Sequence, residues 1–248
     1  MNEILWTILG LGLPFIATCV GASFVLFLKN DNQKFQSIAL SVSAGIMIAG
    51  AFFSLIIPAI EMSQQQNIIP IIPVGGGIIL GLLFLLFAEI FILNKYAIKN
   101  KNFLLVSAIT LHNIPEGMIV GLAFGMFLLN PTPATLSSAL SLSIAISIQN
   151  IPEGSSVSMP LYAKGTKKKK AFFVGMLSGL VEPIGAILSI LIVGVINTIL
   201  PFLLCFSAGC MLYVVVKELV PESQSQNKTL ETIFFFVGFL VMLILDIL

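Results

Sequence analysis

The 248-residue chain is 58% hydrophobic and 9% charged, with a formal net charge of +1 and a mean hydropathy of +1.08. Soluble domains carry about 25% charged residues, so a soluble globular fold is excluded and an integral membrane protein with little mass outside the bilayer is expected. The 3 cysteines, Cys19, Cys205 and Cys210, lie in apolar segments, and their odd number argues for small buried hydrophobes over a disulfide framework.

Eight apolar segments follow in chain order: Ile4–Leu28, Gln36–Pro58, Ile69–Leu93, Phe103–Leu129, Ala134–Leu161, Ala171–Asn197, Pro201–Val220 and Thr232–Leu248. Each can cross a hydrocarbon core of ~30 Å as a helix. Met1-Asn2-Glu3 lacks a basic n-region and the run after it is too long for a signal-peptide core, so a first transmembrane helix is expected there. The connections are short, and a single transmembrane domain over residues 1–248 is expected.

There is no Arg, so all 12 basic residues are Lys. Lys29 and Lys34 follow span one, Lys95, Lys99 and Lys101 follow span three, and Lys164 and Lys167 to Lys170 follow span five. Lys217 and Lys228 flank the turn after span seven. Eight alternating spans place every one of them on the same side. Lysines in short loops stay cytoplasmic, so both termini are expected outside the cytoplasm of a multi-pass protein of the cell (inner or plasma) membrane. The run Lys167 to Lys170 could serve a lipid or nucleic-acid surface, but an orientation anchor is the simpler account, and no nucleic-acid partner is expected.

The chemistry lies inside the spans. Span two aligns Ala44, Met47, Ala51, Ser54 and Pro58 on one face, where Met47 is either a soft ligand or a core filler. Span four contains His112-Asn113-Ile114-Pro115-Glu116-Gly117, and span five repeats it as Gln149-Asn150-Ile151-Pro152-Glu153-Gly154. Residues four apart stack on one helix face, which pairs His112 with Glu116 and Gln149 with Glu153. Span six adds Glu182-Pro183.

A mid-membrane carboxylate costs ~2.5–3.5 kcal/mol on insertion scales, so three unpaired ones would strain a fold worth about 5–15 kcal/mol. No Lys is expected inside a span to pair with Glu116, Glu153 or Glu182, which leaves shared protons or bound cations. The N and O donors beside them, His112, Asn113, Gln149 and Asn150, favour a divalent transition metal. Pro115 and Pro152 each remove a backbone N–H and displace the carbonyl four residues back, that of Leu111 or Ile148, which predicts kinks within these pairs. Gly117, Gly121 and Gly125 on span four, and Gly175 and Gly179 on span six, predict close helix approach. The serines of span five (Ser137, Ser138, Ser141, Ser143, Ser147, Ser155, Ser156 and Ser158) predict a wet path.

These motifs resemble the ZIP metal transporters, and the Gln-Asn form in span five is most similar to the bacterial GufA-like branch. Gly179-Leu180-Val181-Glu182-Pro183, Ser43-Ala44-Gly45-Ile46-Met47, Phe206-Ser207-Ala208-Gly209 and Lys217-Glu218-Leu219-Val220-Pro221-Glu222 extend the likeness over essentially the whole chain. The resemblance implies an all-α protein of eight transmembrane helices in a 3+2+3 arrangement, the first and last three related by an inverted repeat. It implies a binuclear metal site: His112, Glu116, Gln149 and Glu153 with Met47 nearby for one ion, and Asn113, Glu116, Asn150, Glu153 and Glu182 for the other. Relatives can carry Asp at the position of Asn150, and many carry a His-rich loop after span three, where residues 93–102 contain no His.

The expected protein is a carrier, functioning as a homodimer, that moves divalent metal into the cytoplasm. Zinc is foremost, with iron, manganese, cobalt and cadmium as further cargo and no resident cofactor. A divalent-cation channel using the same residues as a selectivity filter is the alternative. An enzyme is not expected, since HEXXH is absent and every metal candidate is itself a possible ligand.

Overall fold

The computed structural model describes residues 2–28, 33–96, 101–193, 197–224 and 228–247. Among the described residues there is no strand, and eight helices are long and apolar enough to cross a membrane. They are span one Glu3–Phe27, two Lys34–Gln65, three Ile71–Phe91, four Ile109–Leu129, five Pro133–Ala163, six Lys168–Ile190, seven Leu200–Ser223 and eight Lys228–Ile247. Large apolar side chains such as Ile8, Ile16, Phe87, Leu188 and Ile244 stand exposed on the outer faces, where lipid would meet them.

Three features depart from the expected spans. Span two runs on to Gln65 and does not stop at Pro58, because a π-helical segment, Ala51–Ile56, precedes the proline. Pro58 therefore falls in the first turn of Ile57–Gln65, where a missing N–H costs nothing. Span seven repeats the device, with a π segment Val215–Leu219 ahead of Pro221 in the first turn of Val220–Ser223. A sequence signal marks both: Ser43-Ala44-Gly45-Ile46-Met47 recurs as Ser207-Ala208-Gly209-Cys210-Met211, each ahead of its π segment.

Span six, expected to be continuous over Ala171–Asn197, is broken into Lys168–Gly179 and Val181–Ile190. Pro183 has no N–H for the Gly179 carbonyl, and the chain tightens instead, the Leu180 N–H donating to Leu177 O at 3.2 Å. The break puts Glu182 in the first turn of the second half-helix, where the helix dipole favours a negative charge. Asn197 belongs to a separate 3-10 turn, Asn197–Ile199, and residues 194–196 lie outside the described residues.

Lys217 lies inside span seven, against the expectation that no Lys lies inside a span. Its amine donates to Glu89 Oε2 of span three and to the Tyr213 hydroxyl at 2.9 Å, and the Tyr213 hydroxyl donates to the same carboxylate. The lysine-bearing end is otherwise where the charge pattern puts it. Lys164 at the end of span five pairs with Glu222 at the end of span seven at 3.4 Å. Lys168 at the start of span six donates to the carbonyl of Leu28 at the end of span one. Lys29 and Lys99, with the side chains of Lys95 and Lys101, lie outside the described residues.

The helices pair as the 3+2+3 arrangement requires. Span one packs along span five and span four along span six, while span two packs along span eight and span three along span seven. Exchanging spans one to three for six to eight, and four for five, maps each pair onto another. Four close crossings obey the same exchange. A Cβ on Gly154 would stand 2.1 Å from the Thr18 carbonyl oxygen of span one, and one on Gly117 the same distance from the Glu182 carbonyl oxygen of span six. At Gly45 it would meet Phe235 O at 2.0 Å, and at Gly209 it would meet Ile78 O at 2.4 Å. The final glycine of each hexapeptide is thus the point at which its helix meets a partner, close packing that only a missing side chain allows.

Candidate metal centre

The helices carrying the hexapeptides, Lys101–Leu129 and Pro133–Ala163, run unbroken through Pro115 and Pro152. His112 therefore stacks over Glu116 and Gln149 over Glu153. Packed together, spans four and five bury His112, Asn113, Glu116, Gln149, Asn150 and Glu153 to 1% exposure or less. One ligand atom from each of His112, Glu116 and Glu153 lies within 4.8 Å of the others. His112 Nε2 is 3.5 Å from Glu153 Oε2, and the Gln149 amide donates to Glu116 Oε1 at 3.2 Å. Glu116 Oε2 and Glu153 Oε1 have no hydrogen-bond partner among the described residues.

A second knot adjoins the first through the asparagines. The Asn113 Nδ2 donates to Glu182 Oε1 at 3.2 Å and to the Ser178 carbonyl at 3.2 Å. The Asn150 Nδ2 donates to Glu182 Oε2 at 2.7 Å and to the Pro14 carbonyl at 3.3 Å. The Thr18 hydroxyl of span one lies 3.2 Å from Glu182 Oε1. Asn113 Oδ1 and Asn150 Oδ1 have no hydrogen-bond partner among the described residues. Thr18 was not expected from the sequence. A single hydroxyl four residues after a proline in an apolar helix carries no signal of its own, since threonine routinely bonds back to the carbonyl four residues earlier.

Span two closes the cage from the other side. The Ser43 hydroxyl donates to the Pro152 carbonyl at 3.1 Å, and Gly50 leaves room for the Gln149 side-chain oxygen, which a Cβ would meet at 2.3 Å. Ser43, Met47 and Gly50 fall on one helix face, so Met47, 1% exposed, belongs to the face that span two turns toward the span-five hexapeptide.

Five of the eight serines of span five bond within the protein. Ser138, Ser147, Ser155 and Ser156 donate to carbonyls of their own helix, and Ser143 donates to Gly10 O of span one at 2.7 Å. Buried serine without competing solvent satisfies itself this way. Ser138 and Ser141 border a cavity of about 800 Å³ between spans two, four, five, seven and eight. Met62, Met126, Thr135 and Asp246 surround its mouth at the end away from the lysines, where Ser54 donates to Asp246 Oδ1 at 3.1 Å. Ile119 and Ile148 line its depth, Ile148 being the residue before Gln149.

All eight residues proposed from the sequence, Met47, His112, Asn113, Glu116, Gln149, Asn150, Glu153 and Glu182, are thus buried, and seven of them interlock through the contacts above or carry an unpartnered oxygen beside them.

Eight helices long and apolar enough to cross a membrane, around a buried His/Glu/Glu cluster with the donor set to hold a cation, define the class: a multi-pass membrane protein. Residues 93–246 match the family described as ZIP zinc transporter, and the chain belongs to that family. It is 35% identical to the zinc transporter GufA of Myxococcus xanthus over 244 residues, 93% of this chain and 93% of that protein. It is also similar to the zinc transporter ZIP11 of Xenopus tropicalis, 29% identical over 99% of this chain and 98% of that one. With the zinc transporter ZIPB of Bordetella bronchiseptica it shares 32% identity over 97% of its length and 80% of that protein's.

Proposed function

We propose that this chain is a single transporter domain that carries divalent transition-metal ions through the cell membrane into the cytoplasm, with zinc as the foremost cargo and iron, manganese, cobalt and cadmium as others. The observation that carries the reading is the fully buried cluster of His112, Glu116 and Glu153, with ligand atoms within 4.8 Å of one another. Lys217, which lies inside span seven, is committed to Glu89 and cannot neutralise it. A divalent cation can: it accepts imidazole nitrogen and carboxylate oxygen together, and it removes the penalty of burying the charges bare. The names of the relatives, zinc transporters over nearly the whole length, support the choice of metal.

In this reading one ion takes His112, Glu116, Gln149 and Glu153, with Met47 approaching from span two. A second takes Asn113 and Asn150 through their oxygens, Glu182, and the bridging carboxylates Glu116 and Glu153. Three carboxylates nearly balance two divalent ions. The cavity at the end away from the lysines is the entrance, and its depth beside Gln149 and Glu116 is where the metal exchanges water for protein ligands. Spans one, four, five and six, tied together by their glycine crossings and by Glu182, move as one body against spans two, three, seven and eight. The protein works as a homodimer and catalyses no reaction, since each donor in the cage is itself a ligand.

Uptake of ⁶⁵Zn into cells or vesicles tests this with wild type, His112→Ala and Glu116→Ala. Saturable uptake by wild type and its loss in both variants is expected. Equal uptake by all three, each correctly folded, rejects the site.

A further inference from the structure

The geometry points to Thr18 as the residue that positions Glu182 for the second ion. The inference rests on the metal-transport reading above and adds a residue outside every motif. Thr18 is fully buried where three spans meet. Its carbonyl packs on Gly154, and its side chain packs on Gly179, where an added Cβ would stand 2.7 Å from the Thr18 methyl carbon. Its hydroxyl has one hydrogen and two acceptors in reach, Pro14 O at 3.2 Å and Glu182 Oε1 at 3.2 Å. The Pro14 carbonyl already receives the Asn150 amide at 3.3 Å. A carboxylate is the stronger acceptor, so the hydrogen goes to Glu182.

That bond gives the carboxylate its third attachment. Asn113 holds Oε1 from span four, Asn150 holds Oε2 from span five, and Thr18 holds Oε1 from span one. Because the amide nitrogens of both asparagines are committed to Glu182, Asn113 Oδ1 and Asn150 Oδ1 are left without donors, as ligands for a cation must be. Without the hydroxyl, Oε1 keeps one donor and the carboxylate can turn about its last bond, carrying the asparagine amides with it. The ion held by His112 and Gln149 does not depend on this bond, so the effect falls on the second ion. Thr18 touches neither ion: it is a positioning residue.

Calorimetric titration of the purified full-length protein with Zn²⁺ alone tests the assignment. Thr18→Val keeps the shape and removes the hydroxyl, and Thr18→Ser keeps the hydroxyl and removes the methyl. Wild type and Thr18→Ser are expected to bind two ions. Thr18→Val is expected to bind the first ion as wild type does and the second at least ~10-fold more weakly, the lower range for loss of a group that orients a ligand. Thr18→Val binding both ions at wild-type affinity overturns the proposal, and so does Thr18→Ser failing together with Thr18→Val, which would assign the effect to packing. If Thr18→Val does not fold, Thr18→Ala against Thr18→Ser poses the same question, since that pair differs only in the hydroxyl. Wild type binding one ion also overturns it while leaving the uptake reading intact. Normal binding and uptake by His112→Ala would instead overturn the metal site itself.

Discussion

Replacing Gly154 by alanine adds one methyl group at the crossing of spans one and five. The new Cβ would stand 2.1 Å from the Thr18 carbonyl oxygen and 2.8 Å from the Ala22 nitrogen, against 3.4 Å or more for an ordinary contact. Both neighbours are backbone, so no rotamer change relieves the clash and the helices must part by more than an ångström. Overpacking of this kind costs about 1–3 kcal/mol. Gly12, on the same span one, has nothing within 4 Å of the corresponding position. There alanine only removes a glycine from a helix interior, a gain of about 0.5–1 kcal/mol. The two variants should therefore differ by about 1.5–4 kcal/mol in opposite directions from wild type. Reversible unfolding in mixed micelles reads the difference, and zinc uptake reads its consequence, because parting spans one and five also moves Thr18 and Glu153. Gly154→Ala should lose most transport while Gly12→Ala keeps it. If Gly154→Ala is as stable and active as Gly12→Ala, the helices do not cross as described and the glycine argument for the inverted repeat fails.

Other substitutions probe separate parts of the molecule. Glu116→Gln keeps the volume but removes a bridging charge, and zinc affinity should fall at least ~10–100-fold, the range for perturbing a metal site one step farther out; unchanged affinity by calorimetry would falsify its role as a ligand. Asn150→Asp supplies a fourth carboxylate to the second site and should tighten it by calorimetry, with identical stoichiometry and affinity counting against a second ion there. At the lysine-bearing end, Lys217→Met leaves Glu89 with only the Tyr213 hydroxyl and should cost about 1–2 kcal/mol, whereas Lys164→Ala breaks a pair exposed at both partners and should cost about 0–1 kcal/mol. A thermal-stability ranking in the reverse order would contradict the half-buried placement of Glu89 between Lys217 and Tyr213.

Much of this protein was written locally. The spans, their number and the side on which the lysines lie follow from hydropathy and charge, properties of short windows that bilayer insertion acts on directly. The pairing of His112 with Glu116 and Gln149 with Glu153 follows from helical period alone, and burial of bare carboxylates makes a cation the natural partner. What lay outside the sequence was every feature set by where two distant helices touch. The serines of span five promised water, and five of them, Ser138, Ser143, Ser147, Ser155 and Ser156, instead bond to their own helix or to span one. Glu182 was legible as a costly residue, but the break at Leu180 that places it on a half-helix N-terminus, and the donors that hold it, were not. The π segments of spans two and seven had a signal in the repeated Ser-Ala-Gly-X-Met phrase, yet their extent depends on packing around the following proline.

Thr18 shows the division most plainly. Its sequence neighbourhood specifies a helix, and a helix specifies only that its hydroxyl can reach the Pro14 carbonyl. Its bond to Glu182 joins residues 164 apart in the chain, and it exists because Gly154 and Gly179 allow spans one, five and six to converge on that side chain. Local composition determined that the helices cross the membrane and that four and five carry the candidate ligands for a metal. Close packing at a few glycines, which is a property of the assembled helices and of no single one, decided how those ligands are held.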